Sequence, residues 1–194
     1  KKRYAIAMLI WGIFLCSCSK DVALGPDVEL ERDYVLPQGG DPDADERIMD
    51  LYEKYGSYFL YDFTVADLNW NQVANSMLYK LALGEPKYAL DMLDLLDEVW
   101  LKFYPEEFLK QNLPYRVFMA DTVYSVLSWT DRPAICVKTG DNSLAFGYMN
   151  EDLKNKTAAE KLELKNTVQS LFFDLLTVRK AISIGEGFYK ISDY

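Results

Sequence analysis

The sequence predicts an α+β domain, because segments with helical spacing alternate with short aromatic and β-branched runs that are typical of strands. Two segments, one after Pro86 and one after Thr157, carry apolar residues at helical spacing over several turns. Strand-like runs lie between these segments, and Gly140-Asp141 between the last two runs indicates a β-hairpin. Half of the residues are apolar and 14% are aromatic, so a chain of 194 residues can bury a sizeable core.

The first 17 residues have the pattern of a signal peptide. Lys1-Lys2-Arg3 are basic, and the apolar run over 4–15 is too short to cross a bilayer as a helix. Leu15-Cys16-Ser17-Cys18 resembles a bacterial lipobox. This resemblance implies cleavage before Cys18, a thioether-linked diacylglyceryl group on its sulfur and an acyl chain such as palmitate on the new N-terminus. Cys16 is a second candidate for lipidation, and an ordinary signal peptide with an incidental cysteine is the alternative.

The residues that follow are strongly acidic. The formal charge is −9, and the first 17 residues carry three basic residues and no acid, so the part from Cys18 onward carries −12. Phosphate backbones would repel such a surface, which excludes nucleic acid as a partner. Residues 18–44 combine prolines, glycines and acids, so we expect a flexible acidic tether over 18–44 and a single α+β domain over 45–194. Ser19-Lys20-Asp21 resembles signals that send lipoproteins to the outer face of the outer membrane.

The first half of the domain predicts helix, strand and helix. Asp43-Ala44-Asp45-Glu46 has the form of a capping box, and Gly56 ends the helix that it opens. Residues 58–63 predict a strand, residues 67–72 a loop or a helix beginning at Thr64 or Asp67, and residues 76–83 a short helix. Pro86 opens a long helix that Pro105 ends. Its apolar stripe comprises Leu90, Leu93, Leu96, Val99, Trp100 and Phe103.

The opposite side of that long helix carries four acids, Asp91, Asp94, Asp97 and Glu98. Such a row could bind calcium or form a catalytic carboxylate pair. It lacks the loop and the glycine of a calcium-binding loop, so we expect a solvated face.

The second half predicts three strands and a late helix. A further helical turn covers 106–112, and a strand over 115–120 is extended by 123–127. Residues 134–138 and 143–149 form the predicted hairpin, and Cys136 within it is expected to be a buried small hydrophobe. Thr157 and Glu160 form a second capping box. Apolar residues then mark a buried helical face: Leu164, Val168, Leu171, Phe172, Leu175 and Leu176, widened by Phe173 and Val178.

Four stretches of the chain are similar to a known family. They are 51–56, 100–110, Leu113-Pro114 and 188–194, and they resemble the zinc-binding metallopeptidase-like (zincin-type) lipoproteins associated with TonB-dependent nutrient import. The resemblance implies a mixed, mostly parallel sheet of about four strands with an antiparallel edge strand, packed on helices that include the late helix over 158–180. In zincins that helix carries His-Glu-x-x-His, whose two histidines bind zinc and whose glutamate is the general base.

The chain departs from this family at the motif itself. The corresponding pentapeptide is Phe173-Asp174-Leu175-Leu176-Thr177, and the chain contains no histidine. Phe173 and Thr177 occupy the histidine positions and Asp174 that of the glutamate, so we expect no zinc, no other cofactor and no catalytic residue. We expect Asp174 to lie near the surface or to pair with Arg179 or Lys180. The family's third ligand would lie further along than Tyr194, so a truncated or degenerate metallohydrolase with residual or lost activity is the alternative.

These features predict a non-catalytic, zincin-like accessory or binding lipoprotein of a glycan or peptide uptake system. Its lipid anchor would hold it at the outer membrane, exposed on the cell surface. The expected partners are a TonB-dependent porin and the substrate-binding lipoprotein of that porin. Tyr58, Tyr61, Trp70 and Trp129 could form a glycan or peptide surface, although we expect most of them in the core. A structural lipoprotein of another fold is a further alternative.

Overall fold

A computed structural model describes residues 32–70, 78–126, 133–140 and 142–182. The described α-helices are α1 (Pro42–Tyr55), α2 (Val65–Leu68), α3 (Ala89–Val99), α4 (Glu106–Asn112) and α5 (Ala158–Val178). The described strands are β1 (Tyr58–Leu60), β2 (Tyr79–Ala82), β3 (Arg116–Met119), β4 (Thr122–Ser125), β5 (Cys136–Lys138) and β6 (Ser143–Phe146). Short 3₁₀ turns cover Pro86–Tyr88, Leu101–Phe103 and Leu153–Asn155.

The main sheet contains four strands in the order β1-β3-β6-β5. β3 runs parallel to both β1 and β6, with Val117 opposite Phe59 on one side and Leu144 on the other. β5 runs antiparallel to β6 at one edge, where Lys138 lies opposite Leu144. The predicted α+β fold with a mixed, mostly parallel sheet and an antiparallel edge strand is therefore confirmed, as is the hairpin.

Two predictions failed at the second, smaller sheet. β2 lies in the segment expected to be a helix over 76–83, and it pairs antiparallel with β4, which was expected to extend β3. Ala120 and Asp121 separate β3 from β4, and Asp121 N donates to Ala82 O at the end of β2. The cause is tertiary: Tyr79 and Leu81 alternate with more exposed residues and pack on the main sheet, which stabilises a strand that is too short to be recognised locally.

The main sheet has a core on each face, because successive strand residues point to opposite sides. Helices α1, α3 and α5 pack on the face that includes Phe59, Val117 and Phe146. The second sheet and α2 pack on the other face, against Leu60, Phe118 and Ala145 with their neighbours. Burial on both faces explains why these strands are nearly continuous apolar runs.

The domain begins earlier than the sequence predicted. Asp41, not Asp43, is the N-cap of α1: its carboxylate accepts from Ala44 N at 2.9 Å, and Pro42 occupies the first turn. The compact unit starts at Tyr34. Gln38 holds the incoming segment, since its amide donates to Phe59 O at 2.9 Å and accepts from Tyr61 N at 2.9 Å. The predicted flexible tether therefore cannot extend to residue 44, because residues 34–44 belong to the domain.

Helices α3 and α5 meet around a cluster of aromatic rings. Trp100 lies 5.3 Å from Phe172 and 5.8 Å from Phe146, measured between ring centroids. The predicted capping box of α5 is confirmed, because Thr157 and Glu160 bond reciprocally. The expectation that Phe173 and Val178 widen the buried stripe is wrong. Both side chains are about half exposed, and neither is among the buried residues of α5, which are Leu164, Val168, Phe172, Leu175 and Leu176.

Candidate functional site

The degenerate motif lies on the exposed side of α5. Phe173, Asp174 and Thr177 are all exposed, and 54% of the surface of Phe173 is accessible to solvent. Phe173 and Thr177 lie one helical turn apart, as a pair of metal-binding histidines would. The Thr177 hydroxyl donates to Phe173 O at 2.9 Å, so this side chain binds its own helix backbone. The three motif positions therefore share one accessible surface, on which the carboxylate of Asp174 is the one charged group that could bind a metal ion.

Asp174 forms an ion pair with Lys138 of the edge strand β5. The predicted surface position is confirmed, but the predicted partners, Arg179 and Lys180, are wrong. The Arg179 guanidinium instead donates to Asn112 O at 3.0 Å. The difference arises because β5 packs along α5, which brings a lysine from 36 residues away to the carboxylate.

The backbone of Lys138 is held from the other side of the sheet. The Tyr79 hydroxyl donates to Lys138 O at 2.9 Å. Burial raises the pKa of Tyr79 above its ordinary value of 10.0, which favours the protonated phenol that donates this hydrogen bond. Tyr79 and Asp174 thus contact the same lysine from β2 and from α5, through its carbonyl and its ammonium respectively. Lys138 was not singled out by sequence reasoning, and the one signal for it was its place in the predicted hairpin.

The potential ligands near the motif do not form a metal site. Within the described ranges, no three histidine, cysteine, aspartate or glutamate side chains are grouped so that they could hold a metal ion. Cys136, two residues before Lys138 on β5, is free and buried, and burial raises its pKa well above the ordinary value. A neutral thiol in the core is neither a nucleophile nor a ligand at neutral pH. The prediction that Cys136 is a buried hydrophobe is confirmed.

The acidic side of α3 is occupied by ion pairs. Lys154 Nζ lies 3.1 Å from Asp91, Lys161 Nζ lies 2.7 Å from Glu98, and Arg47 pairs with Asp94. These cations come from three different elements that surround α3. The predicted solvated face is therefore partly covered by ion pairs between α3 and neighbouring elements. Three of its four carboxylates bind a lysine or an arginine rather than facing one another around a shared site.

The aromatic residues considered as a ligand surface separate into two groups. Tyr58 and Tyr61 are buried in the core. Trp70 is 66% exposed, and the Arg116 guanidinium lies 4.8 Å from the centroid of a ring of Trp70. Trp129 lies outside the described residues, as do Cys18, Cys16 and the predicted signal peptide.

Comparison with known proteins identified no relative. No protein-family model, no curated protein and no solved structure matches the chain. In the part of the chain that the structure describes, no helix combines the length and the apolar character needed to span a bilayer.

Proposed function

We propose that this chain is a membrane-anchored, non-catalytic, zincin-like accessory or binding lipoprotein of a glycan or peptide uptake system. The observation that carries the proposal is the ion pair between Asp174 and Lys138, because Asp174 stands at the position that the resemblance assigns to the general base. The mixed sheet with an antiparallel edge strand beside α5 agrees with the architecture that the resemblance implies.

The chemistry of this ion pair opposes metal catalysis. A zincin-type site uses neutral imidazoles to bind zinc and a carboxylate to take a proton from the bound water. Here the chain has no histidine, and the remaining acid is neutralised by an ammonium group. A positive charge next to Asp174 repels a divalent cation, and the ammonium occupies one of the two carboxylate oxygens. Both side chains are partly exposed, so the pair contributes only about 0–1 kcal/mol to stability.

The metal content of the purified protein tests this part of the proposal. We expect substoichiometric zinc by elemental mass spectrometry, and no peptide hydrolysis beyond that of the Asp174→Asn variant. Asp97→Asn, which changes an exposed acid on α3, is the matched control. Stoichiometric zinc or peptidase activity that Asp174→Asn abolishes and Asp97→Asn preserves would reverse the proposal in favour of an active metallohydrolase.

The lipid anchor is proposed on the lipobox alone. Acyl chains bind membranes through burial of their methylene groups, at about 0.8 kcal/mol for each, and several chains anchor a soluble domain firmly. Cys18→Ala should abolish incorporation of labelled palmitate and release the protein from the outer membrane. Cys16→Ala should leave both the incorporation of palmitate and the attachment to the membrane unchanged. Labelling that follows Cys16, or that survives both substitutions, would contradict the assignment.

The proposed partners are a TonB-dependent porin and the substrate-binding lipoprotein of that porin. Affinity purification from outer membranes of the producing cell, with the lipidated full chain as bait, should recover such a porin. Recovery should fail with the Cys18→Ala variant, because the unanchored domain is diluted away from the membrane. Purification of the full chain without any transport component would remove the uptake role from the proposal.

A further inference from the structure

One arginine of the main sheet is surrounded by aromatic rings. Arg116 is the first residue of β3, and the Cζ atom of its guanidinium lies 4.8 Å from the centroid of a Trp70 ring. The ring centroids of Tyr115 and Tyr34 lie 5.5 Å and 5.7 Å from the same atom. Cation–π contacts form within about 6 Å of a ring centroid, so all three rings contact one guanidinium. These four residues form the Arg116 cluster.

The Arg116 cluster rests on the buried core. Tyr58 of β1 lies opposite Arg116 in a parallel pair of strands, and only 1% of Tyr58 is exposed. The Tyr58 ring meets the rings of Tyr34 and Tyr115 edge to face, with 5.2 Å between centroids in both cases. Because packed rings hold the arginine side chain in place, a ligand would not have to order it on binding.

The guanidinium has no acidic partner in the part of the chain that the structure describes. None of the ion pairs found there involves Arg116, although acids outnumber bases in this chain, which has a formal charge of −9. The Nε atom of Arg116 is buried and has no hydrogen-bond acceptor. Buried donors are almost always paired, so this one calls for an explanation. An apolar side chain would pack against the same rings without that cost, which points to a use for the charge.

The outer end of the guanidinium is accessible to solvent. Its terminal nitrogens, Nη1 and Nη2, form no hydrogen bond with a described residue, and they are not among the buried atoms that lack a partner. Together they carry four N–H groups in one plane. This planar fork matches the two oxygens of a carboxylate, and its single positive charge is neutralised by one carboxylate.

Trp70 provides an apolar surface beside this fork. It is the most exposed aromatic residue in the described ranges, at 66%. The residue before it is fixed, because the Asn69 amide donates to Tyr79 O at 3.1 Å and accepts from Tyr79 N at 3.0 Å. Tryptophan and arginine are the side chains most enriched where binding energy is concentrated. A ligand with carbon atoms next to its acid group would therefore bury part of the indole ring.

We propose that the Arg116 cluster binds organic carboxylates. The two terminal nitrogens of Arg116 donate to the carboxylate oxygens, and the Trp70 ring contacts the carbon atoms next to the carboxylate. The inference deepens the proposed binding role by naming the group that is recognised, and for its biological setting it rests on that role. In a glycan or peptide uptake system, this group is supplied by a uronic acid or by the C-terminus of a short peptide.

Two matched pairs of probes test the ligand class. They are methyl glucuronide against methyl glucoside, and N-acetyl-trialanine against its C-terminal amide. Ligand-observed NMR titration of the detergent-solubilised full chain should show at least one acid binding about tenfold or more tightly than its neutral counterpart, which lacks the charge-assisted hydrogen bonds. Added salt should weaken this binding, because the guanidinium end is accessible to solvent.

The acid that binds identifies the source of the carboxylate. Binding of the glucuronide indicates an acidic glycan, and binding of the acetylated peptide indicates a peptide C-terminus. Equal binding within both pairs, or no binding of either acid, would overturn the proposal.

Substitutions locate the site. Arg116→Lys keeps the positive charge but loses the planar fork, and should weaken binding of the acid by about fivefold or more. Arg47→Lys makes the same change on α1 and should leave binding unchanged. Trp70→Ala removes an exposed ring without unfolding the protein and should weaken binding roughly threefold. Phe103→Ala removes an exposed ring outside the cluster and should have no effect on binding.

The controls decide whether the cluster is the binding site. Equal effects of the two arginine substitutions, or of the two aromatic ones, would overturn the assignment. If Arg116→Lys fails to fold in circular dichroism, the comparison of Trp70→Ala with Phe103→Ala still decides, because both of these side chains are exposed.

The titration separates this inference from the proposed function. It uses no porin and no membrane, so absent binding of both acids with intact porin recovery refutes the carboxylate site alone. Failed porin recovery with intact binding of an acid refutes the uptake role alone and leaves the carboxylate site supported.

Discussion

Asp45 joins the incoming segment of the domain to α1 and to the end of β1. Its carboxylate is buried, with 6% of the residue exposed. It accepts hydrogen bonds from the Tyr61 hydroxyl at 2.7 Å, from Gly39 N at 2.7 Å and from Gln38 N at 3.1 Å. Replacement by alanine removes the acceptor for all three donors, so Asp45→Ala tests whether residues 34–41 are part of the fold.

The size of the effect follows from these contacts. A hydrogen bond to a charged group contributes about 1.5–3 kcal/mol, and the Tyr61 hydroxyl is buried deeply enough to lose its full contribution. The two backbone donors lie in a partly exposed segment and can form hydrogen bonds with water instead, which reduces their contribution to the loss of stability. We expect Asp45→Ala to lower the free energy of unfolding by about 3–5 kcal/mol, and Tyr61→Phe by about 1.5–3 kcal/mol.

Urea unfolding followed by circular dichroism measures both values. Asp43→Ala is the matched control, because Asp43 is exposed in the first turn of α1 and contributes only about 0.3–1 kcal/mol through the helix dipole. If Asp45→Ala destabilises the protein no more than Asp43→Ala does, this hydrogen-bond network does not hold residues 34–41 in the fold.

Alkaline pH provides a second measurement on the same network. Burial, and then the hydrogen bond to Asp45, raise the pKa of Tyr61 to about 12. A raised pKa means that the protonated phenol is favoured in the folded state, so its contribution is complete below the ordinary pKa of 10.0 and is lost as the pH rises towards about 12. The loss of stability over this range should be smaller in Tyr61→Phe. An identical alkaline dependence in the two proteins would contradict the assignment.

Three further predictions concern packing, capping and the close approach of two loops. Phe172→Ala should cost about 3–5 kcal/mol because that ring is fully buried, whereas Phe173→Ala should change stability by less than about 0.5 kcal/mol; equal effects in urea would refute the orientation of α5. Hydrogen bonds from Thr157 lower the pKa of Glu160, so its contribution is present above the ordinary value of 4.5 and lost as the pH falls through its folded-state value. Glu160→Gln should therefore narrow the stability difference between neutral pH and about pH 3, and an unchanged difference would argue against the cap. Gly84→Ala should lower the melting temperature, because the added methyl group would lie 2.2 Å from the Met149 carbonyl oxygen; an unchanged melting temperature would show that the loops around Gly84 and Met149 separate easily.

Local signals predicted the elements whose stabilising contacts are close in sequence. Thr157 and Glu160 bond across one helical turn, and Gly56 ends α1 in the left-handed conformation, with φ of 66°. The predicted N-cap of α1, Asp43, is two residues too late, and a local pattern does not separate the two positions because Asp41 and Asp43 are both suitable caps. Pro42 was the available signal that favours Asp41, since proline is most common in the first turn.

Contacts between distant segments could not be predicted in the same way. Tyr79–Ala82 alternates for four residues only, and its partner β4 begins at Thr122, so the pairing that makes it a strand is invisible to a local pattern. The sequence predicts Arg179 or Lys180 as the partner of Asp174, because both are close to it along the chain. The true partner, Lys138, is close only because β5 lies along α5.

The sequence by itself determined the acidity of the domain and the absence of imidazole, because residue types and formal charge do not depend on how the chain folds. It also predicted the α+β class, because helical and strand spacing are local patterns of the chain. The tertiary structure alone decided that Lys138 neutralises Asp174, and that three aromatic rings surround the guanidinium of Arg116. Hydrogen bonds and close ion pairs act over a few ångströms, so they depend on which strands become neighbours and in which direction they run. That information lies in the packing of the sheet and not in any single segment.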